Sequence, residues 1–568
     1  MTLPLADIWT PADQLWRIAP ELALVATLVA VLVVSIFTGR NPYVAAGVAL
    51  AGMLATLLLT GALGREAVAG GSAGLGGPTN SPVIVTDAFS VFFKLFLLLF
   101  LALVMGLWLA GLSFRRRAAA SLVARPVSVP PANAPEFLTL LLASALGMIL
   151  MVSTLNLLMI VLAIELASLP SYALAGFDKR SRLSAEASVK YVVFGAVTAA
   201  IMLYGVSLLY GCYGTLDIPR IAQAVAAGPD NGAFHGPVSA AGLFALGVGI
   251  AFKIAAVPFH FWCPDVFEGA PVEVTTWLSV SSKAAGLGLA ARIVAALISP
   301  ADAARLESLW GPTAVTIGIF ASLTCTIGNF AAYRQDNVKR ILAYSSIAHA
   351  GYMLMAAAVL LPYAPHAANP VFSALIVYML TYLFMNLGAF AVTAVVSWQT
   401  GSESLATFAN LGRRAPWIAV PMTICLFSLV GLPPLGGFLA KWWLLYALGE
   451  GAAAQPWLWA LVLVLAINTL FSLYYYVRIV IVMFVRDEPR AERDRALPAP
   501  FSVVVMVNAC AAILLLLGTV GARPMKTLAD NYAIRLFTGA ARASDPMRLL
   551  ADGPRATTMH PEQDIHGR

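Results

Sequence analysis

Residues 252–271 read FKIAAVPFHFWCPDVFEGAP, and they end a long apolar run with a lysine, a histidine, an aspartate and a glutamate. Lys253 stands five residues before Pro258. A charged group beside a helix break in hydrocarbon is unfavourable unless it faces protein or water, and such breaks line ion pathways. The segment therefore predicts a broken membrane helix beside which an ion passes.

The composition places the rest of the chain in a membrane. Of its 568 residues, 60% are hydrophobic and 11% are charged, whereas an ordinary soluble protein carries roughly 25% charged residues. So few charges cannot cover a water-facing globule of this length. The net charge of +7 does not indicate a nucleic-acid partner, because the basic residues lie in short loops between apolar runs.

About fourteen segments are apolar enough to span a bilayer, which takes about 20 residues each. They lie near residues 21–38, 43–63, 88–112, 136–152, 155–176, 188–211, 239–261, 272–298, 311–332, 340–361, 370–397, 416–447, 457–485 and 501–521. We predict an all-α polytopic membrane protein whose seventh and twelfth helices are broken at Pro258 and at Pro433 and Pro434. Segments 64–82, 115–135 and 214–237 are predicted as loops.

Lysine and arginine are concentrated in alternate loops, which predicts the orientation. One side carries Arg40, Arg115, Arg116, Arg117, Arg125, Lys179, Arg180, Arg182, Arg334, Lys339, Arg340, Arg413, Arg414, Arg486, Arg490, Arg493 and Arg495. Between spans, the other side carries Arg65, Arg220 and Arg305. The first side is therefore predicted to be cytoplasmic, with both termini on the periplasmic side.

Two short segments suggest an internal repeat. FKIAAVP (252–258) and FSLVGLP (427–433) each place a phenylalanine six residues before a proline. Helix breaks at corresponding positions in two halves are typical of transporters, whose sites lie near the breaks.

Six ionisable residues within the predicted spans are candidates for carrying protons. They are Glu165, Lys190, Lys253, Lys283, His349 and Lys441. The free energy of inserting each such charge into a bilayer is unfavourable by about 2.5–3.5 kcal/mol, so these groups are expected to face the bundle interior. A lysine that alternates between a carboxylate and a dry environment takes up and releases a proton.

Other charged residues have simpler interpretations. Lys94 and Arg292 are expected to extend toward a membrane interface. Glu21 and Asp87 lie near predicted helix starts, where capping is as plausible as function. The five cysteines contain no CxxC pair, and no nucleotide-binding glycine motif is present, so no metal or cofactor is expected in this chain.

Six segments together resemble the antiporter-like membrane subunits of respiratory complex I, especially the bacterial subunit N and mitochondrial subunit 2 type. They are AIELASLPSYAL, SVKYVVFGA, AFKIAAVPFHFWCPDVFEGAP, SSKAAG, RQDNVKRILAYSSIAHAGY and GLPPLGGFLAKWWLL, and the resemblance covers about residues 80–485. Cys263 departs from the pattern, which has a threonine there.

The resemblance implies two inverted five-helix repeats at 136–298 and 299–485, flanked by segments 1–135 and 486–568. It implies a Glu165–Lys253 pair, a central Lys283 relay and an exit at Lys441, with Lys190 less defined. It also implies that the chain translocates protons across the inner membrane, coupled to NADH–quinone oxidoreductase chemistry. That chemistry is expected in other membrane and peripheral subunits, which hold the flavin, the iron–sulfur clusters and the quinone. The alternatives are a subunit of a cation/proton antiporter or membrane-bound hydrogenase, an independent secondary transporter, and a structural membrane subunit whose buried charges only hold helices together.

Overall fold

A computed structural model gives the fold and describes residues 15–68, 73–75, 83–120, 133–227, 236–298, 303–360, 368–453, 455–486 and 498–532. In this described part, thirteen helices are long and apolar enough to cross a membrane. Numbered as spans 1–11, 13 and 14, they are Ala19–Phe37, Pro42–Val68, Ala88–Ala120, Ala134–Met151, Leu157–Ala175, Arg182–Tyr213, Gly236–Ile254, Val272–Ile298, Ala303–Ala332, Val338–Leu360, Ala368–Thr400, Leu458–Phe484 and Phe501–Gly518.

Two of the fourteen spans are interrupted, as predicted. Span 7 consists of Gly236–Ile254, which we call 7a, and the short helix Trp262–Gly269, which we call 7b. Span 12 consists of two half-helices, Pro416–Val430 and Gly436–Ala452, which we call 12a and 12b. The prediction of fourteen spans with broken seventh and twelfth members is confirmed.

The connecting segments contain more structure than the sequence indicated. A short helix, Ile218–Ala227, lies in the predicted loop between spans 6 and 7. Strands β1 (Ala73–Leu75) and β2 (Ile84–Thr86) pair antiparallel before span 3, β1 within the predicted loop 64–82. A 3-10 helix at Leu405–Phe408 and a helical turn at Leu411–Arg414 join spans 11 and 12. Residues 121–132 of the predicted basic loop lie outside the described residues.

The packing of the spans repeats along the chain. Span 4 packs on span 5 as span 9 packs on span 10, and span 6 packs on span 7 as span 11 packs on span 12. In an 18-residue apolar stretch of each span, 94%, 89% and 89% of the residues are buried in spans 8, 10 and 11, but only 33% in spans 6 and 13. The two inverted five-helix repeats therefore meet around spans 8, 10 and 11. Domain boundaries at residues 135, 298 and 485 stay a prediction.

Both breaks begin with the same helix cap, and it corrects the sequence alignment of the repeats. Ala255 (φ 61°) and Gly431 (φ 89°) adopt the left-handed conformation. The next N–H in each break donates to the carbonyl five residues earlier, from Ala256 to Ala251 and from Leu432 to Phe427. Aligning the two caps pairs Pro258 with Pro434. Aligning Phe252 with Phe427, as the sequence suggested, pairs Pro258 with Pro433 instead and is therefore wrong by one residue. A glycine relieves the backbone strain at position 431, whereas Ala255 carries it.

Neighbouring side chains satisfy the backbone groups that the breaks expose. Trp262 Nε1 donates to the Phe252 carbonyl at 3.1 Å, and the Val257 N–H donates to Thr324 Oγ1 at 3.0 Å. The Ser282 hydroxyl donates to the Lys253 carbonyl. Because hydrocarbon offers no hydrogen bonds, these contacts keep irregular backbone tolerable at membrane depth. They also fix span 8 against the break, where Ser282 precedes Lys283.

Candidate functional site

Lys253 lies at the end of helix 7a and is completely buried. Its Nζ donates to Ser168 Oγ of span 5 at 3.1 Å. Glu165 precedes Ser168 by three residues, so both side chains lie on one face of span 5. The carboxylate and the ammonium interact electrostatically. The structure therefore brings the predicted partners together and inserts a serine that the sequence analysis missed.

Lys283 lies in span 8, the most buried helix, and its own side chain is fully buried. Its Nζ lies 3.9 Å from Cys263 Sγ. The ammonium also faces the Phe267 ring at 5.1 Å and the Trp262 ring at 6.0 Å. A thiol is a weak acceptor and aromatic faces attract cations modestly, so these partners hold the lysine loosely. Such surroundings suit a group that gains and loses a proton.

His349 of span 10 is hydrogen-bonded on both ring nitrogens. Tyr378 OH lies 2.8 Å from Nδ1, and Tyr476 OH lies 3.4 Å from Nε2. Tyr476 OH also lies 2.5 Å from Ser345 Oγ. We call these four residues the His349 cluster. Ser345 and His349 thus meet through a tyrosine of span 13, which the spacing on span 10 alone did not predict.

Lys441 occupies helix 12b and is fixed against the end of helix 12a. Its Nζ donates to the Val430 carbonyl at 2.9 Å and lies 4.9 Å from the centre of the Tyr352 ring. The two half-helices approach closely, since a Cβ on Gly437 would lie 1.8 Å from the Ser428 carbonyl oxygen. Lys441 and His349 also interact electrostatically. The second break therefore presents a lysine to span 10.

A buried amide cluster extends from Tyr352 away from Lys441. Asn329 Nδ2 donates to Tyr352 OH at 2.9 Å and to Asn468 Oδ1 at 3.0 Å. Tyr475 OH donates to Asn329 Oδ1 at 3.0 Å. The cluster joins spans 9, 10 and 13. Sequence analysis missed it because neutral amides within apolar spans carry no charge signal.

Lys190 does not join the buried lysines. Its side chain is 39% exposed, and its Nζ lies 2.7 Å from both Glu186 Oε1 and Asp265 Oδ2. Arg340 NH1 in turn lies 2.8 Å from Asp265 Oδ1 and 2.6 Å from Glu268 Oε2. We call these five residues the surface ion network. It links span 6, helix 7b and span 10 on the side predicted to be cytoplasmic.

The surface ion network gives a pH-dependent prediction. Burial raises the pKa of the Asp265 carboxyl, but hydrogen bonds from Lys190 and Arg340 outweigh it and hold the pKa below 3.8. A lowered carboxyl pKa adds stability that is fully present above the unfolded value and is lost as pH falls through the folded value. We therefore expect Asp265→Asn to destabilise the protein at about pH 6 and to have a smaller effect at about pH 3. Thermal unfolding of parent and variant at both pH values measures this, and an equal effect at both would contradict it.

Two buried ion pairs involve charged residues for which the sequence suggested other roles. Lys94 Nζ lies 2.6 Å from Glu21 Oε1, and Arg292 holds Asp87 with two hydrogen bonds of 3.0 and 2.7 Å. Lys94 and Arg292 are 1% and 3% exposed, so the prediction that they extend to an interface was wrong. Asp87 also accepts the Ser90 N–H at 2.8 Å, as a helix cap does. The partners lie far apart in sequence, which hides them from hydropathy analysis.

The comparisons with known proteins agree with this architecture. Residues 154–471 match the family described as NADH:quinone oxidoreductase/Mrp antiporter, transmembrane. The chain belongs to this family. The match contains Glu165, Lys253, Lys283, His349 and Lys441, and thus the whole buried series. Among the described residues, no group of three or more His, Cys, Asp or Glu side chains is placed to hold a metal ion.

Relatives within the family cover nearly the full chain. NADH-quinone oxidoreductase subunit N of Anaeromyxobacter sp. (strain Fw109-5) is 39% identical over 91% of this chain and 96% of its own length. A chain of respiratory complex I from Thermus thermophilus with bound aureothin has a TM-score of 0.68 and 30% identity, over 89% and 98% of the two chains. A chain of the Mrp complex from Dietzia sp. DQ12-45-1b has a TM-score of 0.73 and 20% identity over 94% and 100%, which shows a shared fold.

Proposed function

We propose that this chain is the proton-translocating subunit N of a bacterial NADH–quinone oxidoreductase. One observation carries the proposal. Ionisable side chains from both inverted repeats form a series from the half-buried Glu165 through the buried Lys253, Lys283 and His349 to the buried Lys441, and this series passes through the spans where the repeats meet. Buried charges are unfavourable in a membrane, and a series of them is typical of a proton pathway.

In this proposal, each residue of the series has a role. Glu165 and Lys253 form the loading site, since their charges interact across spans 5 and 7. Lys283 is the central relay, held loosely against a thiol and aromatic rings. The His349 cluster passes the proton to the second repeat, and Lys441 releases it toward the periplasm. Lys190 acts in the surface ion network at the cytoplasmic mouth rather than within the relay.

The redox reaction takes place in other subunits of the complex. Flavin, iron–sulfur clusters and quinone bind in or at those partners, and this chain contributes proton movement without a redox residue of its own. Charge rearrangement at a neighbouring antiporter-like subunit starts the transfer. The protein lies in the inner membrane with both termini on the periplasmic side, in keeping with the basic loops on the opposite face.

Purification from the native membrane tests the assignment. A tagged chain is isolated in mild detergent, its partners are identified, and the complex is reconstituted in vesicles. We expect co-purification of flavin and iron–sulfur subunits that oxidise NADH and acidify the vesicle lumen. Isolation with membrane subunits alone, and with cation-for-proton exchange in place of NADH oxidation, would instead assign the chain to an antiporter.

A further inference from the structure

A cavity of about 530 Å³ lies between helix 7a and spans 8, 9 and 10, with the short helix Ile218–Ala227 at one end. Its mouth is between helix 7a and span 9, where Ala240, Phe244, Thr313 and Thr316 are exposed. Because these exposed faces belong to membrane spans, the cavity opens toward lipid tails. Cavities of about 300–1,000 Å³ with mostly apolar walls are typical of ligand sites.

The lining of the cavity changes from polar to apolar along its length. Its three polar side chains, Ser239, Thr313 and Thr316, lie near the start of the apolar stretches of helix 7a and span 9. The inner end is lined by apolar side chains such as Ile254 and Phe320. Ile254 lies fifteen positions after Ser239 along helix 7a, which is about 22 Å at about 1.5 Å per residue. One lipid tail, which crosses half of a hydrocarbon core of about 30 Å, fits within this length.

The short helix Ile218–Ala227 marks the membrane interface at the outer end of the cavity. Ile221, Ala222 and Val225 are buried, and Val225 lines the cavity. Arg220 and Gln223 are exposed on the opposite face of the helix. A helix with one apolar and one polar face lies in the plane of the interface. The outer end of the cavity therefore lies beside lipid headgroups, and the inner end lies in hydrocarbon.

The walls of the inner end favour hydrocarbon over water. A buried water needs about two to four polar partners, whereas the side chains at the inner end are apolar. A tail that leaves the bilayer gains no hydrophobic free energy, because lipid tails are as apolar as leucine. It gains dispersion contacts instead, since cavity walls that face no other atoms forfeit this attraction. Shape and length, rather than hydrophobicity, therefore select the ligand.

We propose that this cavity binds one acyl chain of a membrane phospholipid, inserted between helix 7a and span 9 from the leaflet predicted to be periplasmic. The end of the chain contacts Ile254, Ala256 and Val257, which flank the left-handed residue Ala255. The lipid thus packs on the break of span 7, next to the residue that follows Lys253. This inference requires only that the chain spans a membrane, so it holds independently of the proposed function.

Photolabelling of the intact complex tests the site. The complex is reconstituted in vesicles of phosphatidylethanolamine and phosphatidylglycerol that contain a phosphatidylethanolamine with a diazirine at the end of one acyl chain. After irradiation, we expect labels on the inner-end residues Ile254 and Phe320. A diazirine placed near the headgroup should instead label Val225 and Thr313 at the outer end. Tail-end labels confined to the exposed faces of helix 7a and span 9 would overturn the proposal.

Two substitutions fill the cavity from different walls. Ala251→Phe and Ala290→Phe each place a ring in the space of several methylene groups, so labelling of the inner end should fall on the order of tenfold. Ala200→Phe is the matched control, since Ala200 is exposed on span 6 and lies outside the cavity. It should leave the labelling unchanged. Undiminished labelling of both assembled cavity variants would refute the site, and the two-probe comparison decides the case if neither variant assembles.

A quinone with a long isoprenoid tail is the competing apolar ligand in such a membrane. We expect added quinone to leave the tail-end labelling of Ile254 and Phe320 unchanged, because the cavity has the length of a single lipid tail. Loss of these labels as quinone is added would assign the cavity to the isoprenoid tail and overturn the lipid proposal.

Discussion

Replacing Lys283 with methionine is expected to reduce proton pumping on the order of a hundredfold, which is the low end of what a positioned acid–base group contributes. Methionine fills the volume of the lysine stem but carries no proton. Lys283 contacts a thiol and two aromatic rings rather than a carboxylate, so its removal leaves no buried negative charge without a partner. Assembly should therefore be unaffected. Lumen acidification in vesicles, compared with NADH oxidation by the same preparation, measures the effect.

Lys179→Met is the matched control, since Lys179 is exposed in the loop after span 5 and lies outside the buried series. This variant should pump like the parent. Normal pumping by Lys283→Met would remove the central relay from the proposal. Loss of assembly in Lys283→Met would favour a subunit whose buried charges only hold helices together.

Replacing Arg292 with methionine is expected to have the largest effect on stability. The change leaves the Asp87 carboxylate buried without its bidentate partner, and breaking such a pair typically lowers the free energy of unfolding by about 3–5 kcal/mol. The ion pair between the start of span 3 and span 8 is then lost near the predicted periplasmic face. The abundance of assembled chain in membranes and its thermal midpoint should both fall sharply. The complex that does assemble should pump at the parental rate, because Arg292 lies outside the buried series.

A second substitution, at Asp87, tests whether the unpaired carboxylate charge causes the loss of stability. Asp87→Asn keeps a side-chain oxygen for the Ser90 N–H and removes the negative charge, so Arg292→Met with Asp87→Asn should recover much of the lost stability. A double variant that is less stable than Arg292→Met alone would show that the ion pair is not the cause. The same comparison applies to Lys94 and Glu21, the second buried pair.

Hydropathy alone was enough to place the spans and both breaks. A bilayer forces backbone hydrogen bonds into helices, so each span appears as an apolar segment and each break as a proline inside one. The residue-by-residue alignment of the two repeats was not predictable from the sequence. An alignment of Phe252 with Phe427 is shifted by one residue from the alignment of the caps at Ala255 and Gly431. What the two breaks share is a backbone conformation and a proline three residues after the left-handed residue.

The partners of the buried charges were predictable only where the family resemblance paired two of the quoted segments. Glu165 and Lys253 were paired in this way, while Ser168, which contacts Lys253, was overlooked. Lys94 and Arg292 were misjudged because neither they nor their carboxylates belong to a quoted segment, and sequence spacing does not bring the partners together. The tyrosine and asparagine clusters of the second repeat carry no charge, so composition gave no signal for them.

The two ends of the buried series differ in how their lysines are compensated. Lys253 interacts electrostatically with Glu165, a group that binds protons itself. Lys441 is bound instead to the Val430 carbonyl at the C-terminal end of helix 12a, where the backbone supplies a partial negative charge that no proton can neutralise. In the proposed relay, one lysine is therefore compensated by a side chain that itself titrates, and the other by a fixed backbone dipole.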